Sequence, residues 1–98
     1  MTIDVAAEKF FGIAPSTAKR LVGKLSPREK EVLRYHAIGL LHFTMAKLMG
    51  IKRQSTETYL ENVVTKTGVP RKKLPAMYFA SKFHSDLMLV TDIETGRR

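Results

Sequence analysis

The chain has 98 residues, no cysteine, 44% hydrophobic and 27% charged side chains, and a formal charge of +8. That length fills one small domain around one core, and the missing cysteine removes disulfide bracing, thiolate metal sites and any nucleophilic thiol. No apolar run approaches the roughly 18 residues of a membrane span, and residues 1–24, with Asp4 and Glu8, lack the layout of a signal peptide, so a cytoplasmic protein is expected.

The positive excess is spread along the chain. Residues 1–24 carry four Lys/Arg against two Asp/Glu, residues 25–69 seven against four, and residues 70–98 six against three. No segment is merely a basic tail, which favours an acidic partner for the domain as a whole, nucleic acid being the commonest. A plain solubilising surface is the competing reading of the clusters Lys19-Arg20-Lys24, Lys52-Arg53 and Arg71-Lys72-Lys73.

In chain order, residues 1–24 read as a helical extension broken at Gly12-Ile13, whose Phe10, Phe11, Ile13, Leu21 and Val22 need cover. The clearest helix start is "LSPREKEVL": Ser26 caps, Pro27 takes the first helical position without wasting a donor, and Glu29 closes a capping box. Val32, Leu33, Tyr35, His36 and Ala37 supply its apolar side and Arg28, Lys30, Glu31 and Arg34 point outward until Gly39 ends it. A short helix from about His42 to Met49 follows, with Met45, Leu48 and Met49 as its buried side and Gly50 as its stop. Ile51 anchors a turn into a longer helix, about Arg53 to Thr67, stopped by Gly68. At roughly 100° per residue, Thr56, Leu60, Val63, Val64 and Thr67 share its inner side, while Gln54, Thr58, Glu61, Asn62 and Thr65 face away and Glu57 sits on the flank. Leu74-Pro75 opens a last helix whose Met77, Tyr78, Phe79, Ala80 and Phe83 are too apolar for a free surface. "DLMLV" fits either a helix extension or an extended segment, and "TDIETGRR" has no periodicity and should fray.

A short helix, a glycine-centred turn and a second helix offering polar side chains is the geometry that places a helix in the major groove. The wider run is more specific. "LSPREKEVLRYHAIGL", "AKLMGI" and "STETYLENVVTKTGV" together resemble the LuxR/GerE-type helix-turn-helix domain of bacterial transcription regulators. The family pattern L-[ST]-x-R-E-x-E-V-L, A-x-x-L-x-[IV]-S and N-I-x-x-K-L-G-V meets Leu25, Pro27, Arg28, Glu29, Glu31, Val32, Leu33, Gly39, Ala46, Gly50, Ile51, Asn62, Lys66, Gly68 and Val69 in register without a gap. The resemblance covers about residues 25–82. It implies an all-α fold: a small helical bundle of four helix-turn-helix helices, here with the N-terminal helical extension. The expected organisation is residues 1–24 as extension, 25–85 as the helix-turn-helix domain and 86–98 as a tail.

The resemblance also implies double-stranded DNA as partner and a homodimer on a two-fold site; beside it, the expectation is a cytoplasmic, nucleoid-associated regulator that stands alone without a sensing domain. Lys52, Arg53, Gln54, Thr58 and Tyr59 would approach bases, and Ser55, Asn62, Lys66, Arg71, Lys72 and Lys73 the backbone. Met77, Tyr78, Phe79 and Phe83 would form the dimer interface. The sequence departs from the family where Val-Lys becomes Thr56-Glu57 and where some members' second Lys is Glu61. A carboxylate accepts from cytosine N4 but is repelled by phosphate. Hence a second expectation stands beside DNA reading: a protein-interaction module that binds another regulator or RNA polymerase through Glu57, Glu61 and the apolar last helix. The competing structural account of Glu57 and Glu61 is an acidic face paired with nearby bases.

Residues 1–24 repeat part of this pattern, since Gly12 and Thr17 are spaced as Gly50 and Ser55 are. They read either as the back half of a second helix-turn-helix or as a helical pair packed on the domain or on a second subunit, with Lys19 and Arg20 as possible phosphate contacts. His36 is expected at the edge of its helix, and His42 and His84 exposed, with no metal site among them. Met45, Met49, Met77 and Met88 read as core or interface. Neither a nucleophile with its base nor a phosphate-cradling loop can be nominated, so no enzyme and no cofactor are expected.

Overall fold

The computed structural model describes residues 3–83, which are helical throughout apart from the connecting turns. The helices are α1 (Ile3–Phe11), α2 (Pro15–Val22), α3 (Pro27–Ala37), α4 (His42–Met49) and α5 (Arg53–Thr67). A 3-10 turn, Arg71–Lys73, leads into α6, which runs from residue 74 to 83. The expectations for His84, Met88, "DLMLV", "TDIETGRR" and the tail lie outside the described residues.

Local punctuation sets these boundaries. At the start of α3 the Ser26 hydroxyl accepts from the Glu29 amide at 3.2 Å and the Glu29 carboxylate accepts from the Ser26 amide at 2.8 Å, so two otherwise orphaned donors are satisfied. Gly50 and Gly68 close α4 and α5 at φ +66° and +70°, a region that costs a side-chain-bearing residue roughly 1–2 kcal/mol. Arg28 at the start of α3 donates to the Met49 carbonyl at 3.3 Å, tying the end of α4 to α3.

One core joins every helix from α2 onward. Val32 and Leu33 of α3, Met45 and Met49 of α4, Leu60 and Val63 of α5, and Leu74, Met77 and Ala80 of α6 pack together with Ala18 and Leu21 of α2. Each large apolar side chain fully buried there contributes on the order of 1.5–3 kcal/mol. α2 packs on this core through Ala18 and Leu21. Phe11 of α1 meets Phe83 of α6 edge to face at 5.2 Å, and Ile13 and Val22 are also partly covered, but Phe10 remains exposed.

Several inward and outward assignments need correction. Leu48 is exposed, and Ala46 is the third buried residue of α4 with Met45 and Met49. Met77, expected at a dimer interface, is 0% exposed and belongs to the chain's own core. Val64 is half-buried at the edge of the α5 stripe, whose centre is Thr56, Leu60, Val63 and Thr67. The buried Thr67 hydroxyl is satisfied by donating to the Val63 carbonyl at 2.7 Å.

Candidate nucleic-acid interface

The site is built outward from that stripe. With Thr56, Leu60, Val63 and Thr67 turned into the core, Gln54, Thr58, Glu61, Asn62 and Thr65 are exposed along the opposite side of α5. Gln54, Ser55, Thr58 and Tyr59 line a shallow concavity on this face, Ser55 and Tyr59 half-buried. Lys52 is the N-cap residue of α5 and offers no side-chain cap; the Ser55 amide donates to the Lys52 carbonyl at 3.0 Å, which leaves the amides of Arg53 and Gln54 beside the exposed Lys52 and Arg53. A helix N-terminus with free donors and two cations suits a phosphate.

The turn is held by a bond the sequence did not suggest. His42, expected to be exposed, is half-buried, and its Nδ1 lies 2.7 Å from the Thr56 hydroxyl. That hydroxyl donates its single proton to the Arg53 carbonyl at 2.6 Å, so it can only accept from His42, which places the ring proton on Nδ1. The first turn of α4 is thereby pinned to the first turn of α5. The available signal was Thr56 itself, a hydroxyl at a buried helical position that needs a partner.

Lys66, expected near the DNA backbone, bonds to Glu29 while its side chain stays 45% exposed. Its ammonium donates to the carboxylate at 2.8 Å, and Glu29 is only 4% exposed. Burial works to raise the Glu29 pKa, but the bonds from Lys66 and from Ser26 outweigh it and hold the carboxyl below its usual value. A buried carboxylate is costly without such partners, which is why Lys66 turns inward.

His36 lies 3.4 Å from the Arg71 carbonyl through Nε2, at the edge of α3 as expected. Burial pushes its pKa down, the contact to that carbonyl opposes this, and the charges of Arg71 and His42 add to the lowering. Arg71, Lys72 and Lys73 are exposed on the turn before α6, Arg71 lining a cleft with Arg53 and His42. Among the described residues neither Glu57 nor Glu61 forms an ion pair, so the expected pairing of the acidic face with nearby bases is not present. Lys19 and Arg20 are exposed on α2, and Lys19 lines a depression with Lys30 and Lys82 that no α5 residue joins. Leu41 and Phe43, 73% and 62% exposed, line the cleft beside Arg53, and Ile38 at the end of α3 is 59% exposed.

A polar helix presented across a left-handed glycine by a shorter helix packed behind it is the arrangement of a helix-turn-helix protein. The model of the family described as "Bacterial regulatory proteins, luxR family" matches residues 23–78, and the chain belongs to this family of DNA-binding transcription regulators. No curated protein and no solved structure matches it. No helix among the described residues is long and apolar enough to cross a membrane.

Proposed function

We propose that the protein is a sequence-specific transcriptional regulator that reads the major groove with α5. The observation that carries this reading is the polar face of α5, held by its buried stripe and by the His42–Thr56 bond, with Lys52 and Arg53 at its N-terminus forming no ion pair among the described residues. In this reading Lys52, Arg53, Gln54, Thr58 and Tyr59 meet bases, and Ser55, Asn62 and the triplet Arg71 to Lys73 position the backbone. Glu57 and Glu61 restrict the accepted sequences toward bases that donate, cytosine above all. Two copies paired through α6 would suit half-sites about one helical turn apart.

Selection from a random duplex pool at two salt concentrations tests the reading. An enriched motif supports it, and changing Lys52 and Arg53 to Ala should weaken binding and flatten its salt slope by about 0.9 per lost phosphate contact. Sequence-blind retention that vanishes at the higher salt would remove it.

The acidic Glu57 and Glu61 on α5, with the exposed Leu41 and Phe43 near its start, favour a second reading, in which the fold binds another regulator or RNA polymerase without reading DNA. Glu57→Lys with Glu61→Lys separates the two. It raises DNA affinity in both, but abolishes the regulatory effect through loss of a protein partner only in the second.

A further inference from the structure

A second group of cations stands apart from α5. Lys19 of α2, Lys30 and Arg34 of α3, and Lys82 of α6 line two adjoining depressions that share Val22, Lys30 and Lys82, and so form one continuous furrow. No residue of α4 or α5 lines it. Glu29 marks the side of α3 that faces α5, through its bond to Lys66, whereas Lys30 and Arg34 lie roughly 100° and 140° around the helix from it. The furrow therefore opens on a different side of the molecule from the polar face of α5.

None of the four cations has a carboxylate partner among the described residues. Lys82 rests over the Tyr78 ring at 5.6 Å and Arg34 over the Tyr35 ring at 5.3 Å, contacts that leave their charge uncompensated. The one acid lining the furrow, Glu31, is already engaged: it accepts from the Tyr35 hydroxyl at 3.2 Å and pairs with Arg28 at 3.5 Å. Four like charges converging on one groove repel one another, and a polyanion laid along the groove relieves that repulsion while releasing its own counterions. A duplex suits the groove better than an acidic protein does, because a chain already held on DNA by α5 meets neighbouring duplex at a high effective concentration.

We propose that this furrow grips the phosphate backbone of a second duplex segment, so that one chain holds two stretches of DNA, one on α5 and one across α2, α3 and α6. The proposal rests on the reading that α5 binds DNA. It requires no base recognition in the furrow, since lysines and an arginine spread along a groove position a backbone without specifying sequence.

The test uses the full chain with one duplex immobilised and a second, fluorescent duplex free in solution. Wild-type protein should capture the free duplex, and the triple variant Lys30→Gln, Arg34→Gln, Lys82→Gln should capture roughly tenfold less or lower. Its affinity for a single duplex, read by anisotropy, should stay unchanged. Wild-type protein that binds one duplex and never captures a second overturns the furrow and leaves the reading of α5 intact. Undiminished capture by the triple variant also overturns it, assigning bridging to the paired reading helices of a dimer. If the loss of capture comes with a changed oligomeric mass, the furrow is a contact between protein chains and the proposal falls equally. Wild-type protein that binds no duplex at all removes the reading of α5 itself. An outcome in which the Lys52, Arg53 variant keeps single-duplex binding while the triple variant loses it removes the two-segment arrangement.

Discussion

At the scale of single residues, the most informative side chain is Lys66, because its position in the family pattern says that a lysine stands there and nothing about its partner. The structure gives the partner as the buried Glu29, whose carboxylate also anchors the capping box of α3. Lys66→Met should therefore destabilise the fold by about 1–2 kcal/mol at pH 7, less than a fully buried pair because the lysine side chain is 45% exposed. The sign of the pH dependence follows from the lowered Glu29 pKa. Its contribution is complete above the ordinary value of 4.5 and is lost as pH falls through the lower native one, where the unfolded chain binds the proton first. The deficit of Lys66→Met should accordingly shrink as pH drops from 4.5 through that lower native value, measured by urea unfolding across the acid range. An equal deficit at every pH would refute the ion pair as its source. His42 is the matching case: the sequence shows a polar residue at a helix start, and only the close approach of α4 to α5 shows that it bonds the Thr56 hydroxyl. Side-chain partners of this kind, made across 14 or 37 residues of sequence, were not legible beforehand.

At the scale of elements, far more was legible, and the reason is that helix ends are local chemistry. Ser26, Pro27 and Glu29 start α3, and Gly50 and Gly68 stop α4 and α5, each through contacts within four residues. The inner stripe of α5 followed from periodicity alone. Where one helix packs closely against another, periodicity fails: Leu48 is exposed and Ala46 is inside because the choice depends on the neighbouring helix. The start of α4 lacks a side-chain cap. Its N-cap is Leu41, with extended backbone at φ −73° and ψ 153°, no side-chain cap bond and a largely exposed side chain. Leu41→Ser installs the missing acceptor in a backbone already set for it, and should stabilise the fold by about 0.5–1 kcal/mol. For a domain of this size that raises the melting temperature by roughly 2–8 °C. A lowered melting temperature would mean that the leucine side chain is covered in solution, which is the outcome a bound partner or a second copy on that patch would give.

At the scale of the whole molecule, the question is what covers α6. Its inner residues Leu74, Met77 and Ala80 are used up by the core, and Phe83 is partly covered by Phe11 of the same chain. The apolar surplus that suggested a dimer is thus reduced to Phe79, at 42% exposure, with the Tyr78 ring 5.5 Å from it. A helix face of that size gives a weak dimer at best, since isologous pairing doubles a small contact and the loss of rotational and translational freedom opposes it. Pairing is then concentration-dependent, and on a two-fold site DNA completes it by bringing two chains to adjacent half-sites. In sedimentation the free protein should shift from 11.1 kDa toward twice that mass across the micromolar range, and an added two-half-site duplex should recruit two chains cooperatively. Phe79→Glu should hold the free protein at 11.1 kDa and remove the cooperativity, while leaving affinity for a single half-site and the melting temperature nearly unchanged, because the residue lies outside the core. If Phe79→Glu leaves both mass and cooperativity as they were, α6 is not the pairing element, and Phe10 on α1, the most exposed aromatic of the described residues, becomes the surface to change next.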